Sequence, residues 1–243
     1  MKMKIISLSS GSHGNCYVIS NDKGGDKIMI EAGLPPKKLK KALWKEDIML
    51  KDISNCLISH EHLDHFKSAN FLSNSSTNIL LPKTHEDSPK IDSIRKDRRY
   101  YLTPGKIHDL GQYLVLPADM SHDDVTCLGF MIYYKPTEER IFYATDSMFV
   151  KQNPKDINYL MIEVNYQQKY LEEAIKEKQM TRENMRRVMR THMGLDTALK
   201  FLDAIDLSKV KEIWILHVSS RNASKEEIKE TIQKQTGKVV HIA

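Results

Sequence analysis

Three imidazoles and a carboxylate fall within the six residues His60-Glu61-His62-Leu63-Asp64-His65, directly after the apolar run Cys56-Leu57-Ile58. Imidazole nitrogen and carboxylate oxygen are the donors that hold zinc, manganese or iron(II) when a hydrolytic water must be activated. At an extended strand end alternate side chains point the same way, so His60 and His62 can converge on one ion. If the chain then turns, Asp64 and His65 aim at a second point nearby. One short segment can thereby feed two adjacent metals, an arrangement suited to phosphoester hydrolysis.

Two metals need ligands from further segments, and three residues stand where loops gather into a site, at the C-terminal ends of apolar runs. His122 lies in the polar loop Asp119-Met120-Ser121-His122-Asp123-Asp124. Asp146 follows Ile141-Phe142-Tyr143-Ala144, and His217 ends Ile213-Trp214-Ile215-Leu216. Taken singly, each reads as well as a surface or strand-end polar residue.

Together, H-x-H-x-D-H, a later histidine, an aspartate and a final histidine resemble the metallo-β-lactamase superfamily of hydrolases. Ser9-Ser10-Gly11-Ser12-His13-Gly14-Asn15, Glu31-Ala32-Gly33-Leu34, Ser121-His122-Asp123, Ala144-Thr145-Asp146, Glu163-Val164-Asn165, Thr191-His192-Met193 and Leu216-His217-Val218-Ser219 resemble its YycJ/WalJ-like branch of bacterial and phage DNA exonucleases. The resemblance implies an α/β (α+β) fold, the αββα sandwich, with two mixed β-sheets flanked by helices and metals at one edge. It also implies two divalent ions, zinc or manganese, with iron(II) admitted. Metal 1 would take His60, His62 and His122; metal 2 would take Asp64, His65 and His217; Asp146 would bridge. A hydroxide between the ions would attack phosphorus, with Asp64 also able to orient it.

The same resemblance assigns supporting roles. Glu31 stands where the family usually has aspartate and would fix the tautomer of a ligand histidine. His192 would lie near the substrate phosphate and donate a hydrogen bond or proton to the leaving oxygen. His13 and Asn15 would border the site and meet substrate, and Asn165 would support the metal edge. Where the branch often has a histidine after that asparagine, this chain has Tyr166.

The elements that must position these residues read as strands first, then strands alternating with helices, within a single domain over 1–243. Strands are expected at Lys4 to Ser9, Asn15 to Ser20, Lys27 to Ile30, Asp52 to Ser59, around Ile79-Leu80-Leu81, at Tyr113 to Leu116, Gly129 to Tyr134, Arg140 to Ala144, Tyr159 to Glu163, Glu212 to His217, and as an edge at Lys238 to Ile242. Helices are expected after Pro35-Pro36, over Gln167 to Lys178, Arg182 to Arg190, Asp196 to Ile205 and Lys225 to Gln235.

In 243 residues, 40% hydrophobic and 28% charged, no apolar run is long enough to span a bilayer, so no membrane partner is expected. Three separated cysteines without C-x-x-C argue against a disulfide framework and for a reducing, cytoplasmic setting. The formal charge of +5 permits an anionic substrate. Basic stretches occur at Lys37 to Lys41, Arg95 to Tyr101 and Arg182 to Arg190; solvated surface is the commoner explanation for any one of them, ahead of phosphate contact. The expected function is a dinuclear metal-dependent phosphodiesterase with nucleic acid as partner, foremost a DNA exonuclease. Cyclic-nucleotide hydrolysis, then ribonuclease activity, are the alternatives, and a non-catalytic metal-stabilised DNA-binding protein is the rival from another class. A homodimer stays open.

Overall fold

In chain order the elements are β1 (Met3–Ser9), β2 (Cys16–Asn21), β3 (Lys27–Ile30), α1 (Pro36–Lys45), β4 (Ile53–Leu57), α2 (Leu63–Phe66), α3 (Ala69–Asn74), β5 (Asn78–Pro82), β6 (Arg99–Leu102), β7 (His108–Leu110), β8 (Tyr113–Met120), β9 (Cys127–Tyr134), β10 (Glu139–Ala144), β11 (Tyr159–Glu163), α4 (Gln168–Lys176), α5 (Arg182–Thr191), α6 (Leu195–Ala204), β12 (Glu212–Leu216), α7 (Lys225–Thr236) and β13 (Val239–Ile242). The structure is a computed structural model that describes residues 2–21, 25–120 and 126–243. The chain divides into two compact units, Met1–Pro117 with Tyr133–Glu139, and Ala118–Ile132 with Arg140–Ala243.

The first unit holds a six-stranded sheet ordered β1-β2-β3-β4-β5-β6. Its first three strands pair antiparallel, and β3 to β6 pair parallel. The interior strands are apolar and buried, as strands covered on both faces must be. Pro36 opens α1 where its missing N–H costs nothing, and Leu39 and Leu43, one turn apart, carry that helix onto the core with Ile6, Val18, Met29 and Leu81.

A seven-stranded sheet is ordered β13-β12-β11-β10-β9-β8-β7, antiparallel between β7 and β8 and parallel from β10 to β13. In the second unit Ile162, Ile213 and Ile215 pack against Ala198 and Leu202 of α6 and Ile228 and Ile232 of α7. Ser224 caps α7 by accepting from the Glu227 amide, and Gly237, at φ +65°, ends it in a left-handed turn. Two mixed sheets flanked by helices are the architecture the resemblance implies, with β13 at a sheet edge as expected. No helix among the described residues is long and apolar enough to cross a membrane.

Candidate functional site

Most of the candidate side chains sit at or just beyond the ends of parallel strands, with His192 at the end of helix α5. In the first unit, β4 ends at Leu57 and the chain runs through Ser59 into His60, His62 and the short helix α2 that carries Asp64 and His65. The His60 ring lies 4.4 Å from His62 and 4.3 Å from His65, centroid to centroid. His60 and His65 are buried, and His62 and Asp64 are half-buried. The spacing predicts His60 and His62 on one ion with Asp64 and His65 aimed at a second point; in the structure the His60 ring meets both His62 and His65.

Backbone and carboxylate contacts hold that segment. The Ser59 hydroxyl lies 2.9 Å from His60 Nδ1, and the Ser59 amide donates to both oxygens of the buried Glu31. Glu31 Oε1 stands 3.4 Å from His65 Nδ1. Asn15, expected to face substrate, is buried with its amide nitrogen 3.0 Å from His65 Nε2; His13 is exposed. The Asn15 backbone N–H donates to the Asp64 carbonyl at 2.7 Å, and the Ala32 backbone N–H to that of His65 at 2.7 Å. Gly33 makes this crossing feasible, because a Cβ there would lie 1.7 Å from the Asp64 carbonyl oxygen. Gly14, at φ +138°, is equally bound to its place, since a Cβ would fall 2.6 Å from the Gly33 carbonyl oxygen.

In the second unit Asp146, Glu163, His192 and His217 each bring one ligand atom to within 4.8 Å of the others. The parallel ladder explains the meeting. Ala144 of β10 pairs with Ile162 of β11, and Glu163 pairs with Leu216 of β12, so residues just past those pairs emerge side by side. Glu163 Oε1 lies 2.7 Å from His192 Nδ1 and 2.9 Å from His217 Nδ1. Asp146 Oδ1 lies 3.1 Å and 2.8 Å from the same two nitrogens. Glu163 Oε2 accepts from the amides of Ser147 and Met193. Asn165 donates its side-chain amide to the His217 carbonyl at 2.9 Å. Tyr166, where the chain departs from the branch, lays its ring over Gly194, where a Cβ would come within 2.6 Å of it.

Burial lowers the proton affinity of both imidazoles, but the facing carboxylates reverse this. Glu163 above all raises His192 to about 10, and Asp146 above all raises His217 to about 9. Burial pushes Glu163 up, and His192 more than offsets it, leaving this carboxyl below the usual glutamate range. Glu31, Asp146 and His217 have φ of +63°, +44° and +52°. Such left-handed backbone at non-glycine residues costs of order 1–3 kcal/mol each and concentrates at functional positions.

Glu163 is the residue that reading the sequence for site residues passed over. A glutamate closing an apolar strand looks like a solvated end, and only its place in Glu163-Val164-Asn165 hinted otherwise. His122 lies outside the described residues. The basic segment after Arg95 is largely internally satisfied: Arg95 pairs with Asp97 at 2.7 Å, and Arg99 donates to the Ile94 carbonyl.

Residues 10–132 match the family model of the metallo-beta-lactamase superfamily. The chain is 24% identical over 229 residues to exodeoxyribonuclease YycJ of Bacillus anthracis, covering 90% of this chain and 83% of the relative. It is 27% identical over 123 residues to exodeoxyribonuclease WalJ of Streptococcus pneumoniae, covering 49% of this chain and 45% of the relative; the match thus spans less than half the length of that protein. Among solved structures it is similar to the metallo-beta-lactamase fold protein YhfI of Bacillus subtilis, with a TM-score of 0.74 at 14% identity, over 99% of this chain and 96% of the other.

Proposed function

As the chain belongs to the metallo-beta-lactamase superfamily, we propose that it is a metal-dependent phosphodiesterase that digests DNA from an end. The observation that carries the hydrolytic reading is the meeting of Asp146, Glu163, His192 and His217, with ligand atoms within 4.8 Å of one another. The DNA reading is supported by curated relatives that are exodeoxyribonucleases.

The donor set fits a divalent ion. Nitrogen and carboxylate oxygen suit zinc, manganese or iron(II), and thiolate takes no part, since all three cysteines are buried away in the cores. The ligands proposed are His60, His62, Asp64 and His65 in the first unit and Asp146 and His217 in the second, with His122 beside them in the sequence pattern. When bound, two such ions supply Lewis acidity toward the phosphoryl oxygens and a water of lowered pKa.

The chain's own residues do the rest. Glu31 and Asn15 flank the His65 imidazole, and Glu163 engages Nδ1 of His217, fixing the ring so that the other nitrogen serves as ligand. His192 is held through Nδ1 by Glu163 and Asp146, yet 22% of its side chain remains exposed, so it can reach a substrate. It is proposed to hand a proton to the leaving oxygen. A reducing cytoplasm is the compartment that fits three buried cysteines outside any disulfide.

The test is digestion of a 5′-labelled linear duplex by protein supplied with manganese or zinc, with Asp64→Ala alongside. Processive loss of label that requires Asp64 is the expected result. Intact DNA with both metals bound would overturn the DNA assignment and put small phosphodiesters, cyclic nucleotides first, in its place.

A further inference from the structure

Helix α5 presents an arrangement of charge that the fold does not require. Arg182, Arg186 and Arg190 recur every four residues, so successive side chains leave the helix within about 40° of one another and climb about 6 Å per step. All three are exposed, as is Arg187. Like charges at i and i+4 destabilise a helix, and Arg182 sits in the first turn, where the helix dipole disfavours a cation. Burial offers little in return, because Thr191 is the only buried residue of the helix. Among the described residues no carboxylate forms an ion pair with any of the four arginines, in contrast to Arg95 and Arg140, which pair with Asp97 and Asp156.

Two further observations give the stripe a direction and a companion surface. The helix ends at His192, the imidazole that touches Glu163 and Asp146. Beside the stripe lies a cleft of about 580 Å³ lined by Glu183, Arg186, Met189 and Arg190, which combines guanidinium with an apolar thioether. Guanidinium suits phosphate, and a soft apolar surface next to it suits the face of a base.

We infer that Arg182, Arg186 and Arg190 form a track for the phosphates of a single nucleic-acid strand, leading along α5 to His192, with a base lodged against Met189. This rests on the phosphodiesterase reading above and names how a polymer, as opposed to a small ester, is held. The arginines are positioning residues for the strand and act on binding.

The test compares R182Q/R186Q/R190Q with a charge-matched control on α7, K225Q/K229Q/K234Q, and with an all-lysine triple that keeps the α5 charge. Binding of a short single-stranded oligonucleotide is measured in an Asp64→Ala background across a salt series, and hydrolysis of bis(p-nitrophenyl) phosphate in the active background. The α5 glutamine triple is expected to bind at least about tenfold more weakly. The slope of log affinity against log salt should fall by about 2, the value for three single-strand phosphate contacts. Its loss on the oligonucleotide should exceed its loss on the small ester by a similar factor, and the lysine triple should recover most of the binding. Binding of the α5 variant at the parent's level, or an equal loss in the α7 control, overturns the track. A parent that hydrolyses neither DNA nor the small ester refutes the function proposed above, and the track falls with it.

Discussion

Glu163 Oε1 stands 2.9 Å from Nδ1 of His217, although 54 residues separate them in the chain. The parallel pairing of Glu163 with Leu216 places the imidazole one residue beyond the carboxylate's own partner. Register brings the two strand ends level, but alternation alone would turn residue 217 to the face opposite Leu216; His217 lies past the end of β12 with φ +52°, and that left-handed turn accompanies the contact.

Glu163→Gln keeps the size and shape of that side chain and removes its charge. A carboxylate that orients metal-binding imidazoles is typically worth tenfold to a hundredfold in metal affinity or activity. The variant is expected to remain folded and to bind manganese or zinc at least about tenfold more weakly, read by metal content after dialysis against graded chelator. Full metal content with unimpaired hydrolysis would refute the assignment.

The raised imidazoles make a pH prediction for protein stripped of metal by chelator. His217 titrates at about 9 when folded and at about 6.5 when unfolded. Between those values the folded chain holds a proton that the unfolded chain has lost. Stability from this group is thus complete below pH 6.5 and declines as pH rises through 9. His192, at about 10, extends the decline. Glu163 acts at the acid end, contributing above its unfolded pKa and losing that contribution as pH falls. The melting temperature of the stripped protein should drop by at least about 3 °C from pH 6.5 to pH 9, and Glu163→Gln should flatten that slope. A flat profile in the parent would count against it.

The motif at His60 to His65 was legible because its chemistry is written in consecutive residues, and β4 was legible because an apolar run feeds it. The helices from α4 onward were legible for the same reason, through their periodicity. By contrast, β6 and β7 were not, since Arg99-Tyr100-Tyr101-Leu102 and His108-Asp109-Leu110 owe their extended form to neighbouring strands. Glu163 and the support role of Asn15 were hidden because each acquires its meaning from a partner 29 to 54 residues away.

Gly33→Ala tests the crossing of two loops in the first unit. The new methyl would overlap the Asp64 carbonyl, which is backbone and cannot rotate away. A loss of at least about 2 kcal/mol is expected, and a melting point lower by at least about 5 °C. Metal affinity should fall with it, because the displaced segment carries Asp64 and His65. An alanine variant with parental stability and metal content would show that the two loops move independently.

The cysteines give a control on the cores. Burial pushes the Cys16 and Cys56 thiols far above the usual range, and the nearby Glu31 carboxylate adds to it. Cys127 is buried as well. In native protein at pH 8 none should react with an aromatic disulfide reagent on the timescale of minutes, and all should react at once in denaturant. A fast native thiol would place one of them at the surface.

The second-unit cluster also fixes an order of assembly. During synthesis Asp146 and Glu163 leave the ribosome before His192 and His217. Until His192 and His217 reach them, Asp146 and Glu163 are two neighbouring carboxylates with no imidazole between them, and like charges brought together out of water resist burial. The growing chain therefore cannot close the end of β10 and β11 on its own. The imidazoles at 192 and 217 thus act as a clasp across this end of the sheet, whatever else they bind.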